Sequence, residues 1–206
     1  MKYTDSVWPY VLIAFLLIAP SCCFGQGMGQ RGGMQGSAQM QEFKARQQKK
    51  SQDYLAKYDK ENNEFMNSVG GLGKQEKIQA FRDFLSGQYE KNCAFRQEMH
   101  DDWRAFMQGQ LDKNPNMQSY MKEQMLSRID QDYEEARDFY AGKIEEDMQF
   151  LDQLSEDKSI DGQELNVRLK EFFQAQGASG REFAQGQQEK YRNRQIPSGS
   201  GKRGYQ

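Results

Sequence analysis

From residue 37 onward, apolar residues recur along the chain at steps of three and four, the spacing that lines one face of an α-helix. The first such stretch, residues 37–69, ends at the sequence GGLG. The second, residues 74–113, ends at NPN because the residue before a proline is disfavoured in helical geometry. The third begins near Pro115, a favoured first-turn residue, and continues to about Glu156. The pattern predicts three long helices.

The apolar stripes are most continuous in the second and third of these stretches. In the second, the stripe consists of Ile78, Phe81, Leu85, Tyr89, Asn92, Phe95, Met99, Trp103, Phe106 and Leu111. In the third, it consists of Leu126, Ile129, Tyr133, Ala136, Tyr140, Ile144, Met148, Leu151 and Leu154. Because the connection between these helices is so short, they must lie antiparallel, and at about 1.5 Å per residue each is on the order of 60 Å long. The near-heptad spacing predicts coiled-coil-like packing.

Flanking segments complete the predicted fold. Residues 37–69 supply a helix with a weaker stripe, residues 161–176 supply a fourth helix, and residues 181–195 have a helical composition with few apolar anchors. Val and Ile are scarce after residue 20 and only four prolines occur, which argues for helices and against strands. We therefore predict an all-α fold: a long antiparallel helical hairpin with flanking helices, forming an elongated three- to four-helix bundle in a helical domain at residues 41–195.

Several aromatic residues, among them Phe84, Tyr120 and Phe150, fall off the main stripes and predict a second apolar face on the hairpin. Two interpretations of this face remain open. Either the flanking helices cover it, or it is a surface for a second copy of the chain or for a protein client.

The N-terminal segment has the pattern of a signal peptide at residues 1–25. Lys2 precedes the short apolar run VLIAFLLIA, which falls well below the roughly 20 residues that a membrane-spanning helix needs. We favour cleavage after Gly25, which leaves Gln26 as the new N-terminus. The alternative is lipidation of Cys22, since the sequence APSC resembles the bacterial lipoprotein box.

Amino-acid composition and charge limit the size of the hydrophobic core and the classes of possible partner. Only 36% of the residues are apolar and 28% are charged, so the core is thin relative to the surface. Residues 26–40 are rich in Gly, Gln and Met and predict a flexible linker, whereas residues 196–206 predict a disordered basic tail. Residues 101–161 contain sixteen acidic and seven basic residues, a net charge of −9, and the whole chain has −2. This balance argues against a nucleic-acid partner.

The sequence offers little for catalysis. His100 is the one histidine, so a di-iron site built from two Glu-x-x-His motifs is excluded. On a continuous helix, Cys93 and His100 are seven positions apart, roughly 10 Å along the axis, which is too far for proton transfer. We expect Cys93 to be a small buried apolar residue instead. The chain has no nucleophile elbow, no phosphate-binding glycine loop ahead of a helix and no Cys-x-x-Cys motif. We predict no enzymatic activity and no cofactor.

Three features could bind a metal ion, and for each we favour a structural interpretation. One is an acidic group that we expect to be a solvated helix face, and it consists of Asp130, Asp132, Glu134, Glu135 and Asp138. The stretch DKSIDGQELNVR resembles an EF-hand loop but has Arg168 where a bidentate glutamate is required, so we expect Asp161 to cap the next helix. Met28, Met34 and Met40 could hold Cu(I) through their thioethers. We predict no metal site, and a metal-handling exported protein that uses the Met-rich tract and the acidic face remains the alternative function.

In size, export signal and Met- and Gln-rich helical composition, the chain is similar to small periplasmic stress chaperones of the Spy kind, which are helical hairpins that hold unfolded clients. Their Leu-Thr-x-x-Gln motif is absent, so the likeness concerns general design and carries no residue over. We expect an exported, non-enzymatic helical interaction protein, periplasmic or secreted, that is chaperone-like or a cell-envelope scaffold. Its expected partner is a protein or unfolded client that contacts aromatic and Met side chains; a homodimer and a membrane tether are further options.

Overall fold

The structure is a computed structural model that describes the backbone of residues 38–194 and the side chains of residues 38–190. This part of the chain consists of four α-helices and contains no strand: α1 is Ala38–Ser68, α2 is Lys74–Asp112, α3 is Ser119–Glu156 and α4 is Gly162–Arg194. The predicted all-α class is confirmed. The predicted signal peptide, most of the predicted linker and the predicted basic tail lie outside the described residues.

The chain divides into two compact units. The first, which we call the hairpin unit, is Ser68–Val167 and contains α2, α3 and the first residues of α4. The second, the terminal unit, contains α1 up to Asn67 and α4 from Arg168 onward. The division falls inside α4.

In the hairpin unit, α2 and α3 pack against each other in opposite directions. Near the start of α2, Gln75 Nε2 donates to the carbonyl oxygen of Ser155 at 3.0 Å, close to the end of α3. At the other end, Lys122 Nζ lies 3.9 Å from Asp112 Oδ1. Residues near the start of α2 therefore contact residues near the end of α3, and the reverse holds at the other end. This confirms the predicted antiparallel hairpin. With 39 and 38 residues, each helix is roughly 57 Å long.

The buried side chains of the hairpin follow the predicted stripes only in part. On α2 they are Lys77, Ile78, Phe81, Leu85, Gln88, Asn92, Met99, Trp103, Met107 and Leu111. On α3 they are Leu126, Tyr140, Asp147, Leu151 and Leu154. Tyr89, Phe95 and Phe106 are half-buried, while their neighbours Gln88 and Met107 are buried. A helix with 3.6 residues per turn drifts by about 20° per heptad, so the buried face moves away from a strictly repeated position along 39 residues.

The turn between α2 and α3 is longer than predicted, because α3 begins at Ser119 and Pro115 lies in the turn. The expectation that Pro115 opens the third helix is wrong. Backbone and side-chain bonds of Asn114 organise the turn: its Oδ1 accepts from the N–H of Asn116 at 3.3 Å, and its carbonyl oxygen accepts from the N–H of Met117 at 3.3 Å. A polar loop therefore precedes the first helical residue.

The fourth helix is longer than predicted, since α4 continues without interruption to Arg194. Its start agrees with the sequence: Asp161 Oδ1 accepts from the N–H groups of Gln163 and Glu164, each at 2.8 Å, which is the expected helix cap. The expected end at residue 176 is wrong. Gly177 and Gly180 follow it but are buried in the helix, and the surrounding Ala, Gln, Glu and Arg residues favour helix strongly enough to continue through them.

Candidate functional site

The hairpin contains a polar cluster in its interior, nearer to the α2–α3 turn than to the start of α2. We call it the central polar cluster, and it consists of Gln97, His100 and Arg104 of α2 with Asp130 and Tyr133 of α3. Asp130 Oδ1 is 3.0 Å from His100 Nε2. Arg104 Nε donates to both carboxylate oxygens of Asp130, at 2.9 and 3.2 Å. The Tyr133 hydroxyl donates to Gln97 Oε1 at 2.7 Å, and its ring centroid lies 4.4 Å from that of His100. The cluster joins the two helices.

The electrostatics of this cluster keep Tyr133 protonated and hold the Asp130 carboxylate against a cation. Partial burial raises the pKa of Tyr133, and the nearby thiol of Cys93 adds to this effect. The phenol therefore stays protonated at neutral pH and acts as a hydrogen-bond donor. Arg104 is permanently charged, and its Nε–H, shared between the two oxygens of Asp130, holds the carboxylate in place. The cluster contains no serine, threonine, cysteine or lysine.

Cys93 and His100 have different neighbours in the structure. Burial raises the pKa of Tyr89, and a hydrogen bond between Tyr89 and Cys93 raises it further, so the thiol lies beside a tyrosine on its own helix. His100 is engaged by Asp101 at 3.2 Å and by Asp130. Cys93 is half-buried rather than fully buried, which corrects the expectation of a buried apolar residue.

Two of the acidic residues that could have held a cation have separate partners. Asp130 contacts Arg104 and His100, and Asp138 pairs with Arg137 at 3.1 Å. Among residues 38–194, no three His, Cys, Asp or Glu side chains are arranged as a group that could hold a metal ion. In the EF-hand-like stretch, Asp161 caps α4, as described above. Met28 and Met34 lie outside the described residues.

Asp147 is the unusual ionisable group of the hairpin. Its side chain is 0% exposed, and neither carboxylate oxygen has a hydrogen-bond partner among the residues that the structure describes. Burial raises the pKa of this carboxyl to about 8; repulsion from Glu146 contributes and attraction to Lys143 opposes the shift. The sequence prediction missed Asp147 because the residue is polar. The spacing was a usable signal, since position 147 lies seven residues after Tyr140 and seven before Leu154.

Large apolar side chains on the surface of the described chain are few: Leu72, Tyr120, Met121 and Val167. Tyr120 is 65% exposed and Met121 is 49% exposed, and they are adjacent in the first turn of α3. With the half-buried Met117 they form what we call the tip patch. Phe84 and Phe150 are half-buried, so of the off-stripe aromatic residues only Tyr120 is exposed.

The comparisons with known proteins found no family that the chain resembles. A scan against protein-family models, a search of curated proteins and a search of solved structures each returned no match to the chain. Within residues 38–194, none of the helices has the length and apolar composition needed to cross a membrane. The site therefore has to be interpreted from its own chemistry.

Proposed function

We propose that the chain is an exported, non-enzymatic helical interaction protein that contacts a protein partner through the tip patch of its hairpin. The observation that carries the proposal is the exposure of Tyr120 and Met121 side by side at the hairpin tip. Most other large apolar side chains of the hairpin are buried or half-buried. Exposed apolar patches on soluble proteins are often interaction sites.

The chemistry of the tip patch suits a loosely defined partner, such as an unfolded protein segment. Methionine is flexible and polarisable, and tyrosine combines an apolar ring with a hydroxyl that bonds locally, here with Gln124 Nε2 at 2.8 Å. Such side chains adapt to many apolar sequences. A patch of two exposed side chains gives weak, reversible contacts, which is the mode expected of a chaperone or an envelope scaffold.

Export is the second part of the proposal, and it rests on the signal-peptide pattern of residues 1–25. The intact mass of the chain, taken from soluble and detergent-extracted membrane fractions of its host, tests it. A soluble species beginning at Gln26 supports cleavage and free diffusion. Acyl mass on Cys22 in the membrane fraction supports the tethered form, and a full-length chain in both fractions contradicts export.

The contact itself is tested by the aggregation of chemically reduced lysozyme, followed by light scattering, with the processed chain at near-stoichiometric ratio. We expect the wild type to suppress aggregation. The double variant Tyr120→Ser with Met121→Ser removes two central contacts and should act about tenfold more weakly. The matched control removes two exposed apolar side chains elsewhere, Leu72→Ser with Val167→Ser, and should act like the wild type.

Each negative result has a separate meaning. A wild type without any suppression would exclude the chaperone activity. Suppression that is equally strong in the tip variant would exclude the tip patch as the contact site. Sedimentation equilibrium of the same variants covers self-association: if the wild type dimerises and only the tip variant is monomeric, the patch is a contact between two copies of the chain.

A further inference from the structure

Asp147 lies on the face of α3 whose other side chains are buried and packed. Along α3 the buried side chains nearest to it are Tyr140, Leu151 and Leu154, and all four belong to one continuous buried stripe. A carboxyl group on such a stripe normally has a cation or several hydrogen-bond donors as partners. Neither oxygen of Asp147 has a hydrogen-bond partner among the described residues.

The charges around Asp147 do not compensate for its burial. The charged groups that act on it are Glu146 and Lys143, both on α3, and the repulsion from Glu146 is the larger of the two effects. Lys143 Nζ is engaged with Glu146 Oε2 at 2.8 Å. Tyr140 is the titratable group that shares the stripe, and Arg96 lies over its ring at 3.9 Å from the centroid.

We propose that Asp147 makes the packing of α3 dependent on pH: the closed stripe holds its carboxyl neutral, and loss of the proton opens the stripe around Tyr140, Leu151 and Leu154. Opening brings water to the carboxylate, which removes the cost of burying a charge. This inference concerns the hairpin interior and does not depend on the tip patch.

The direction of the effect follows from proton binding. Burial raises the pKa of Asp147 to about 8 in the closed stripe, from an ordinary value of 3.8. Between these two values the open form releases the proton, so the opening equilibrium rises about tenfold per pH unit. Above about pH 8 both forms are ionised and the rise stops. The closed form is most favoured below pH 3.8.

Hydrogen exchange of the full processed chain, measured by mass spectrometry from pH 5 to pH 9, tests the proposal. The exchange rate of each peptide is divided by its intrinsic rate at the same pH. We expect peptides covering residues 140–154 to lose protection about tenfold per unit up to about pH 8 and to level off above it. Asp147→Asn should abolish this dependence. The control Asp138→Asn changes an exposed carboxyl on the same helix and should keep it.

Two results would overturn the proposal: protection in the wild type that does not change with pH, or a dependence that persists in Asp147→Asn. Asp147→Ala is the second variant, and circular dichroism confirms that each variant is helical. If neither variant folds, the wild-type profile decides, because a profile that fails to level off near pH 8 excludes Asp147 as its cause.

Discussion

Replacement of Asp147 by leucine should stabilise the protein at neutral pH, contrary to the usual effect of changing a fully buried residue. In the folded chain the carboxyl is protonated at pH 7 because its pKa is about 8, whereas in the unfolded chain, with a pKa of 3.8, it is ionised. The difference between pH 7 and 3.8, at 1.36 kcal/mol per unit, costs the folded state about 4 kcal/mol. Leucine removes this cost.

The side-chain exchange adds two further terms of opposite sign. Burying the leucine side chain contributes about 2 kcal/mol, and its larger volume in a packed stripe costs a similar amount, about 1–3 kcal/mol. These terms roughly cancel, so the expected gain in the free energy of unfolding at pH 7 is about 4 kcal/mol. Because the charge term comes from a raised pKa, wild-type stability increases as pH falls, and at pH 4 the gain should nearly vanish.

Urea denaturation followed by far-UV circular dichroism measures both values, at pH 7 and at pH 4. The control Asp138→Leu changes an exposed carboxyl on the same helix and should alter stability by less than about 0.5 kcal/mol at either pH. The reasoning is refuted if Asp147→Leu destabilises the chain at pH 7. It is also refuted if the gain is the same at both pH values, since the benefit would then come from packing alone.

Other changes test the packing and the polar contacts of the helices by the same denaturation assay. Leu151→Ala removes a fully buried side chain and should lower the free energy of unfolding by about 2–5 kcal/mol. The exposed control Val167→Ala should lower it by less than about 0.5 kcal/mol. A small effect of Leu151→Ala would show that the stripe is not tightly packed. Asp161→Ala removes two capping bonds and should cost about 0.5–2 kcal/mol, while Asp161→Ser, another capping residue, should retain most of the stability. Asp130→Asn weakens a partly exposed contact with Arg104 and should cost less than about 1 kcal/mol, with the difference shrinking as salt is added; a large, salt-independent cost would contradict the surface character of the pair.

The helices could be predicted from the sequence because their limits are set by local chemistry. The turn GGLG, the NPN stretch and the Asp161 cap each act over a few residues, and the structure places helix boundaries within about five residues of all three. The prediction failed where local signals conflict. The fourth helix was predicted to end at residue 176, but α4 continues through Gly177 and Gly180, because the energy cost of each glycine is about 1 kcal/mol and a strongly helical context exceeds it.

The polar features of the hairpin were harder to predict because they depend on two segments at once. His100 and Asp130 are thirty positions apart, and only the register of α2 against α3 brings them to 3.0 Å. The spacing of Asp147 predicts a residue on the buried stripe, whereas its charge predicts a residue on the surface. It was therefore left out of the predicted stripe. The tip patch was anticipated only as one of several off-stripe aromatic positions. Tyr120 and Met121 lie in the first turn of α3, which begins at Ser119, four residues after the predicted start.

The polar contacts matter most for the register of α3 against α2. Apolar stripes repeat nearly every seven residues, so a slide of α3 along α2 by one heptad would still bring apolar residues together. Such a slide moves each contact by about 10 Å. It would separate Arg82 from Asp152 and Arg104 from Asp130, two ion pairs that join the helices at different levels. Each pair contributes little to stability, but both are lost in the shifted register, so together they favour one alignment over its near-equivalents. The polar residues thus select the arrangement that the apolar stripes stabilise.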